Sequence, residues 1–294
     1  MVKRLLLTTV FLLSLTLSLF AQRTTDKLDR GLVAVPGSSG GTLVSWRIFG
    51  EEYYDTEYNI YRNGTKLNDA PLKVSNFTDV SGSSQNQYQV AAVVRGVEQE
   101  KSKAVSRWNS GYLEFAVKPL YSRRGTNITN SYEVNDIALA DVDGDGVAEF
   151  LVKRNYSPDK MSVSNDSAYN HIECYNIKGE RLWYIDLGPN MVSGPDEQYD
   201  AVGYDWDGDG KAEVLMRGAD NMIIHCSDGS TVNVGSMTVN TRNTVNQSDG
   251  NLAYTNTGNE YLLYIEGATG KPYPIGPSGA LWMSYPLPRG SASD

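Results

Sequence analysis

The stretch Asp136–Lys153, DIALADVDGDGVAEFLVK, returns as Asp200–Arg217, DAVGYDWDGDGKAEVLMR. The offset of 64 residues aligns Asp141 with Asp205, Asp143 with Asp207, Asp145 with Asp209 and Glu149 with Glu213. Each copy sets four carboxylates within nine residues, directly after one alternating, β-like run and directly before another. The unit is therefore strand, acidic turn, strand, used twice. Like charges at that density repel unless a cation lies among them. The spacing D-x-D-G-D-G-x-x-E puts side-chain oxygens at positions one, three, five and nine, and position seven, Val147 or Lys211, adds a backbone carbonyl. Glycines at positions four and six let the turn curl, because glycine accepts φ > 0 without steric cost.

An all-oxygen set suits Ca²⁺, which takes six to eight oxygen ligands, and not zinc or copper. The flanks are β-like and the glutamate comes at position nine, so this is not an EF-hand. The expected metal ligands are Asp141, Asp143, Asp145, Val147 and Glu149 in the first loop, and Asp205, Asp207, Asp209, Lys211 and Glu213 in the second. Their expected role is to clamp each turn. A catalytic ion would need an open position and a neighbouring base, and the spacing provides neither.

The rest of the chain is all-β in character: short alternating runs, 28 glycines, 19 tyrosines and frequent turn dipeptides, without helical periodicity. Residues 1–21 read as a cleavable export signal, with Lys3 and Arg4 ahead of an apolar run and the small Ala21 at its end. That run is too short for a confident span, so no membrane span is expected after cleavage and the protein is expected to be secreted, periplasmic or at the cell surface. The formal charge of −9 becomes more negative once Lys3 and Arg4 are gone, which argues against nucleic acid and anionic membranes as partners. Cys174 and Cys226 allow either one disulfide or two buried thiols. His171 and His225 beside them have poor zinc spacing.

Two units are predicted. Residues 28–108 read as a sandwich of about seven strands, similar to fibronectin type III domains: Thr42–Arg47 alternates, Tyr58–Tyr61 meets an Asn63-Gly64 turn, and Asn76–Asp79 and Tyr88–Val93 follow. Residues 111–294 read as repeats of four strands. The first has strands at Asp136–Ala140, Ala148–Arg154, His171–Ile177 and Arg181–Leu187. The second has the same layout with a turn at Asp228-Gly229, and a third, less regular one starts at Glu260. A polar insertion, Asn155–Asn170, interrupts the first. Four-stranded repeats of this length are the blades of a β-propeller, but about three cannot close a ring of four to eight. The chain is therefore expected to be the front part of a longer protein.

LDRG at Leu28, LVSWR at Leu43, YNIYRNGTKLN at Tyr58, NDIALADVDGDGVAEFLVKR at Asn135, YDWDGDGKAEVLMRGADN at Tyr204, EYLLYIEGATGK at Glu260 and PLPRGSASD at Pro286 occur in one order. In this, residues 28–294 resemble the front half of family 11 polysaccharide lyases, the rhamnogalacturonan lyases. The resemblance implies an all-β chain in which a fibronectin III-like sandwich precedes part of a calcium-binding propeller, eight-bladed in the family. It also implies a secreted enzyme that cleaves the rhamnogalacturonan I backbone of pectin by β-elimination, acting as a monomer on that polysaccharide.

Asn135 matches an asparagine that the family places near the substrate cleft. Asn155 stands where related lyases carry an aspartate, within Lys153-Arg154-Asn155-Tyr156-Ser157 in place of a KWDPS-like stretch. Both are expected to bind substrate, while no residue is expected as the catalytic base. On the residues alone, Asn135 reads more readily as a turn-capping position at a strand start, and Asn155 equally as loop polarity. Lys153, Arg154 and Arg217 follow strands and have two readings, facing the axis of the propeller or solvated surface, the commoner place for Lys and Arg. The alternative function is a non-catalytic, calcium-dependent propeller that binds extracellular glycan or protein.

Overall fold

The computed structural model describes residues 28–156, 169–191, 200–240, 259–275 and 280–285. The export signal and most of the insertion after Asn155 lie outside them. Among the described residues regular structure is β apart from one 3-10 turn, Thr129–Ser131, and no helix is long and apolar enough to cross a membrane.

The N-terminal unit has eight strands: β1 (Val33–Pro36), β2 (Thr42–Ser45), β3 (Glu57–Arg62), β4 (Thr65–Lys66), β5 (Asn76–Asp79), β6 (Gln87–Val94), β7 (Val97–Lys101) and β8 (Val105–Ser106). They form two sheets, β1-β2-β5 and β4-β3-β6-β7, with β8 also pairing β6. Alternation decides the inside. In β2, Thr42 and Val44 are buried while Leu43 and Ser45 face out. Trp46 lies edge-on to Tyr58 at 5.4 Å, above Ile60, Tyr88 and Val90. The Tyr88 hydroxyl donates to Asp79 at 2.9 Å, and Arg62 pairs with the same carboxylate at 2.8 Å, so the Tyr88 and Asp79 polar ends are satisfied, whereas the buried Trp46 Nε1 has no partner among the described residues. The Asn63-Gly64 turn has φ of 49° and 83°, the left-handed pair that a tight hairpin needs.

The second unit contains β9 (Tyr132–Ala140), β10 (Glu149–Tyr156), β11 (His171–Tyr175), β12 (Arg181–Asp186), β13 (Ala201–Tyr204), β14 (Glu213–Ala219), β15 (Met222–His225), β16 (Thr231–Val234), β17 (Glu260–Glu266) and β18 (Trp282–Tyr285). Its first four strands fall where the repeat places them. The second repeat is laid out differently. The hairpin β15-β16 leaves its own repeat and extends the first sheet, giving the order β16-β15-β12-β11-β10-β9, with Tyr184 opposite His225. The stretch expected as a third repeat, β17, pairs with β14 instead and completes the sheet β13-β14-β17-β18. About three blades thus become two sheets among the described residues. The switch happens at Ala219–Met222, where Asn221 takes φ of 66°. The buried Asp220 holds it, accepting from Ser236 N–H at 2.7 Å and Tyr261 hydroxyl at 2.6 Å.

The two sheets share one core. Leu151, Ile172, Cys174, Trp183 and Ile185 of the first meet Ala201, Val214, Met216, Leu263 and Ile265 of the second. Gly203 allows β13 to approach β9, since a Cβ there would lie 2.3 Å from that of Ala140. The other face of the first sheet is covered by the segment before β9, with Phe115 against Phe150 and Tyr175. Cys174 and Cys226 are both buried free thiols, so of the two readings the disulfide is not formed.

Candidate functional site

Each acidic loop joins the first two strands of its sheet. In the first, Asp141 accepts the N–H groups of Gly144 and Gly146, both at 2.9 Å, and Glu149 accepts that of Val142 at 2.9 Å. In the second, Asp205 accepts from Gly208 at 2.7 Å and Gly210 at 2.9 Å, and Glu213 accepts from Trp206 at 3.1 Å and from the Tyr264 hydroxyl at 2.9 Å. Gly144, Gly146, Gly208 and Gly210 all have positive φ, between 79° and 96°. These curled turns bring carboxylate oxygens of Asp141, Asp143 and Glu149 within 4.8 Å of one another, and likewise those of Asp205, Asp207 and Glu213. Asp145 and Asp209 stand outside these close groups, accepting at 2.7 and 2.8 Å from the amides of Val147 and Lys211.

In each group the first aspartate and the glutamate are buried while the middle aspartate is exposed. Burial pushes Glu149 up to about 7, with backbone bonding to Val142 opposing and the neighbouring aspartates adding to the rise. Burial likewise raises Asp141 and Glu213. Carboxylates raised this way are neutralised more readily by a proton or by a cation. A hard, all-oxygen donor set on a glycine cradle fits a divalent ion such as Ca²⁺.

The first loop is also a joint. Asp29 N–H donates to Gly146 O at 3.0 Å and Lys103 Nζ to Asp145 O at 2.5 Å, which ties it to the sandwich. On its other side Ala212 N–H donates to Asp141 O at 2.7 Å, from the second loop.

A second feature lies further along β9. Its pairing with β10 slips between Val152 and Arg154, so Asn135 and Asp136 together face Lys153. A bulge of this kind re-aims side chains and is common beside functional sites. Lys153 is buried, and its Nζ pairs with the exposed Asp200 at 2.9 Å. Here a pocket of about 80 Å³ opens between β9 and β13. Ile137, Ala138, Leu151, Ile172 and Ala201 supply its apolar lining, and Asp136, Lys153 and Asp200 its polar groups.

Asn135 is exposed within β9, not at its start. Asn155 is no loop residue: it is buried in β10 opposite Glu133, two positions along β9 from Asn135. The structure thus brings the two asparagines onto neighbouring strands. Lys153 and Arg154 are not solvated surface. Arg154 is buried and pairs with Glu173 at 2.7 Å, on the face of the sheet away from the pocket. Arg217 is half-buried and pairs with Glu260 at 2.5 Å. Sequence reasoning missed Asp136 and Asp200 as site residues, although they occupy equivalent positions at the head of each repeat.

Residues 23–108 match the family described as rhamnogalacturonan I lyases beta-sheet domain, and residues 116–277 match rhamnogalacturonan lyase family 11, C-terminal domain. Rhamnogalacturonan endolyase YesW of Bacillus subtilis is 38% identical over 85% of the chain and 39% of its own length. Rhamnogalacturonan exolyase YesX of the same organism is 34% identical over 93% of the chain and 42% of its own length. Among solved structures, exotype rhamnogalacturonan lyase YesX superposes with a TM-score of 0.70 at 32% identity, covering 92% of the chain and 42% of that protein. The chain therefore spans about two fifths of the length of the relatives it matches. With both units matched in order and the architecture shared, the chain belongs to rhamnogalacturonan lyase family 11.

Proposed function

We propose that this chain is the N-terminal portion of an exported polysaccharide lyase that cleaves the rhamnogalacturonan I backbone of pectin by β-elimination. The observation that carries this reading is the match of both units, in order, to lyases of that family. Relatives named as lyases, YesW and YesX, favour it over a non-catalytic glycan-binding propeller. In such an elimination a base removes the proton at C5 of a galacturonate, the C4–O bond breaks, and a C4=C5 double bond remains. Asn135, exposed beside the pocket, is suited to hydrogen-bond a sugar hydroxyl, and Asn155 to hold the neighbouring strand in place. Incubating the protein with rhamnogalacturonan I and Ca²⁺, while following ultraviolet absorbance of the unsaturated product, tests the proposal. Product is expected, from this chain or from a longer form that contains it. Its absence from both overturns the reading.

The two acidic groups are proposed to bind Ca²⁺, Asp141, Asp143 and Glu149 holding one ion and Asp205, Asp207 and Glu213 the other. When bound, the ions neutralise the buried carboxylates and fix the turns. Chelation is then expected to lower the melting temperature. Each site filled at a hundred times its Kd adds about 2.7 kcal/mol. The double variant Asp143→Ala/Asp207→Ala should lose most of the difference between calcium and chelator. Equal melting in both conditions for the unaltered chain would contradict structural calcium.

A further inference from the structure

We propose that the first acidic loop is a calcium-dependent joint, which docks the sandwich on the second unit when its ion is bound and releases it when the ion is removed. The inference rests on the calcium reading of that loop and goes beyond it, from fixing one turn to placing one unit against the other. The loop faces two ways. Inwards it gathers carboxylate oxygens of Asp141, Asp143 and Glu149 within 4.8 Å of one another. Outwards it offers main-chain carbonyls to the sandwich: Gly146 O accepts from Asp29 N–H at 3.0 Å, and Asp145 O from Lys103 Nζ at 2.5 Å. The approach is close, since a Cβ on Gly146, at φ of 89°, would stand 3.0 Å from that of Asp29.

One peptide group links the two sides. The bond between Asp145 and Gly146 gives its carbonyl to Lys103 and its N–H to the Asp141 carboxylate, at 2.9 Å. A peptide is planar, so its two ends turn together. The carboxylate that would hold the ion therefore also aims the carbonyl that holds the sandwich. Neither sandwich donor is a loose end. Asp29 accepts from Gly31 N–H at 2.6 Å and from Arg47 Nη1 at 3.1 Å. Lys103 follows Ser102, which is bonded to Val90 of β6 through its amide at 2.8 Å and its hydroxyl at 3.1 Å. Without a cation the loop keeps four carboxylates in nine residues, with Asp141 and Glu149 buried, and their repulsion opens the turn. Opening swings the shared peptide away from Lys103 and draws Gly146 O off Asp29. Coupling is reciprocal, so a docked sandwich in return tightens the hold on the ion.

The test combines small-angle X-ray scattering of the full chain with calorimetric titration of Ca²⁺ into chelator-treated protein. Calcium is expected to lower the radius of gyration of the unaltered chain, and chelator to raise it again. Asp143→Ala should stay extended at a calcium concentration that compacts both the unaltered chain and Asp207→Ala, whose ligand belongs to the second loop. Lys103→Met is a change at an exposed position that leaves every ligand carboxylate in place. It should nonetheless weaken calcium binding at one of the two sites by about fivefold, the low end of typical couplings. Lys73→Met removes the same charge from a lysine paired with Glu57 inside the sandwich, and should leave both affinities unchanged. Calcium binding that neither compacts the chain nor responds to Lys103→Met would overturn the joint and leave the calcium sites intact. An equal loss in Lys103→Met and Lys73→Met would overturn it too, by reducing the effect to net charge. No calcium binding by the unaltered chain would overturn both the joint and the calcium reading.

Discussion

The two faces of the six-stranded sheet differ as much as two faces of one sheet can. Towards the second sheet it presents Leu151, Ile172, Cys174, Trp183 and Ile185, an apolar layer. Away from it, the same strands present Arg154, Glu173, His171 and Asp186, all buried. Glu173 is fully buried and takes Arg154 at 2.7 Å, Arg181 at 2.6 Å and the Tyr175 hydroxyl at 3.1 Å. His171 lies between Tyr132, edge-on at 5.5 Å, and Tyr184 at 6.0 Å. The apolar face draws its stability from area removed from water. The ionised face must instead satisfy every charge, and each partner lost there leaves another buried and uncompensated. Burial is alike on the two faces. What differs is tolerance, because a hydrophobic layer degrades gradually and a charge network fails at single positions.

The sharpest way to break this contrast is Glu173→Gln, which keeps the shape and removes the charge. Leaving Arg154 buried opposite a neutral amide should cost about 4 kcal/mol in denaturant unfolding. Ile185→Ala on the apolar face should cost about 3 kcal/mol, from lost transfer energy and the cavity left behind. Replacing Arg154, Glu173 and Arg181 together by Met, Leu and Met should recover much of the Glu173→Gln loss, since apolar substitutes for a buried ionic cluster are often neutral. A triple variant as unstable as Glu173→Gln would show that the layer needs its charges for more than mutual compensation.

The smallest effect is in pH. Burial pushes His171 below its ordinary value of 6.5, with the Asp186 and Glu173 carboxylates opposing and the Arg154 and Arg181 cations reinforcing the shift. Below pH 6.5 the unfolded chain takes up a proton that the folded protein refuses, so stability should fall as pH drops from 6.5 and level off above it. The slope is at most about 1.4 kcal/mol per pH unit for one histidine. His225, also lowered by burial and stacked on Tyr184 at 4.1 Å, adds to it. His171→Phe should flatten the acid side of the profile and leave the plateau unchanged. An unchanged slope would place the acid sensitivity elsewhere.

Much of the fold was legible because it rests on local rules. Alternation in Thr42–Ser45, the Asn63-Gly64 turn and the strands around the first acidic loop depend on residues a few positions apart. The loops were legible because four carboxylates and two glycines in nine residues carry their own geometry. The repeat misled over β15-β16 and β17. Strand pairing beyond the first hairpin is decided by which apolar faces meet, and the resemblance between repeats carries no information about that. Lys153 and Arg154 look like surface cations in sequence, and partners distant in the chain, Asp200 and Glu173 among them, allow them to be buried. The site around Lys153 was illegible for the same reason, as its walls come from β9, β10, β11 and β13.

By itself the sequence determined an all-β chain, the acidic turns and the family, because each is written in short-range patterns and in the order of motifs. The tertiary structure decided that the repeats share strands between two sheets. It decided that Asn135 and Asn155 lie on neighbouring strands, and that one face of a sheet is greasy and the other ionised. Those outcomes depend on contacts between residues far apart in the chain, where burial and pairing of charge are settled only once the sheets have packed.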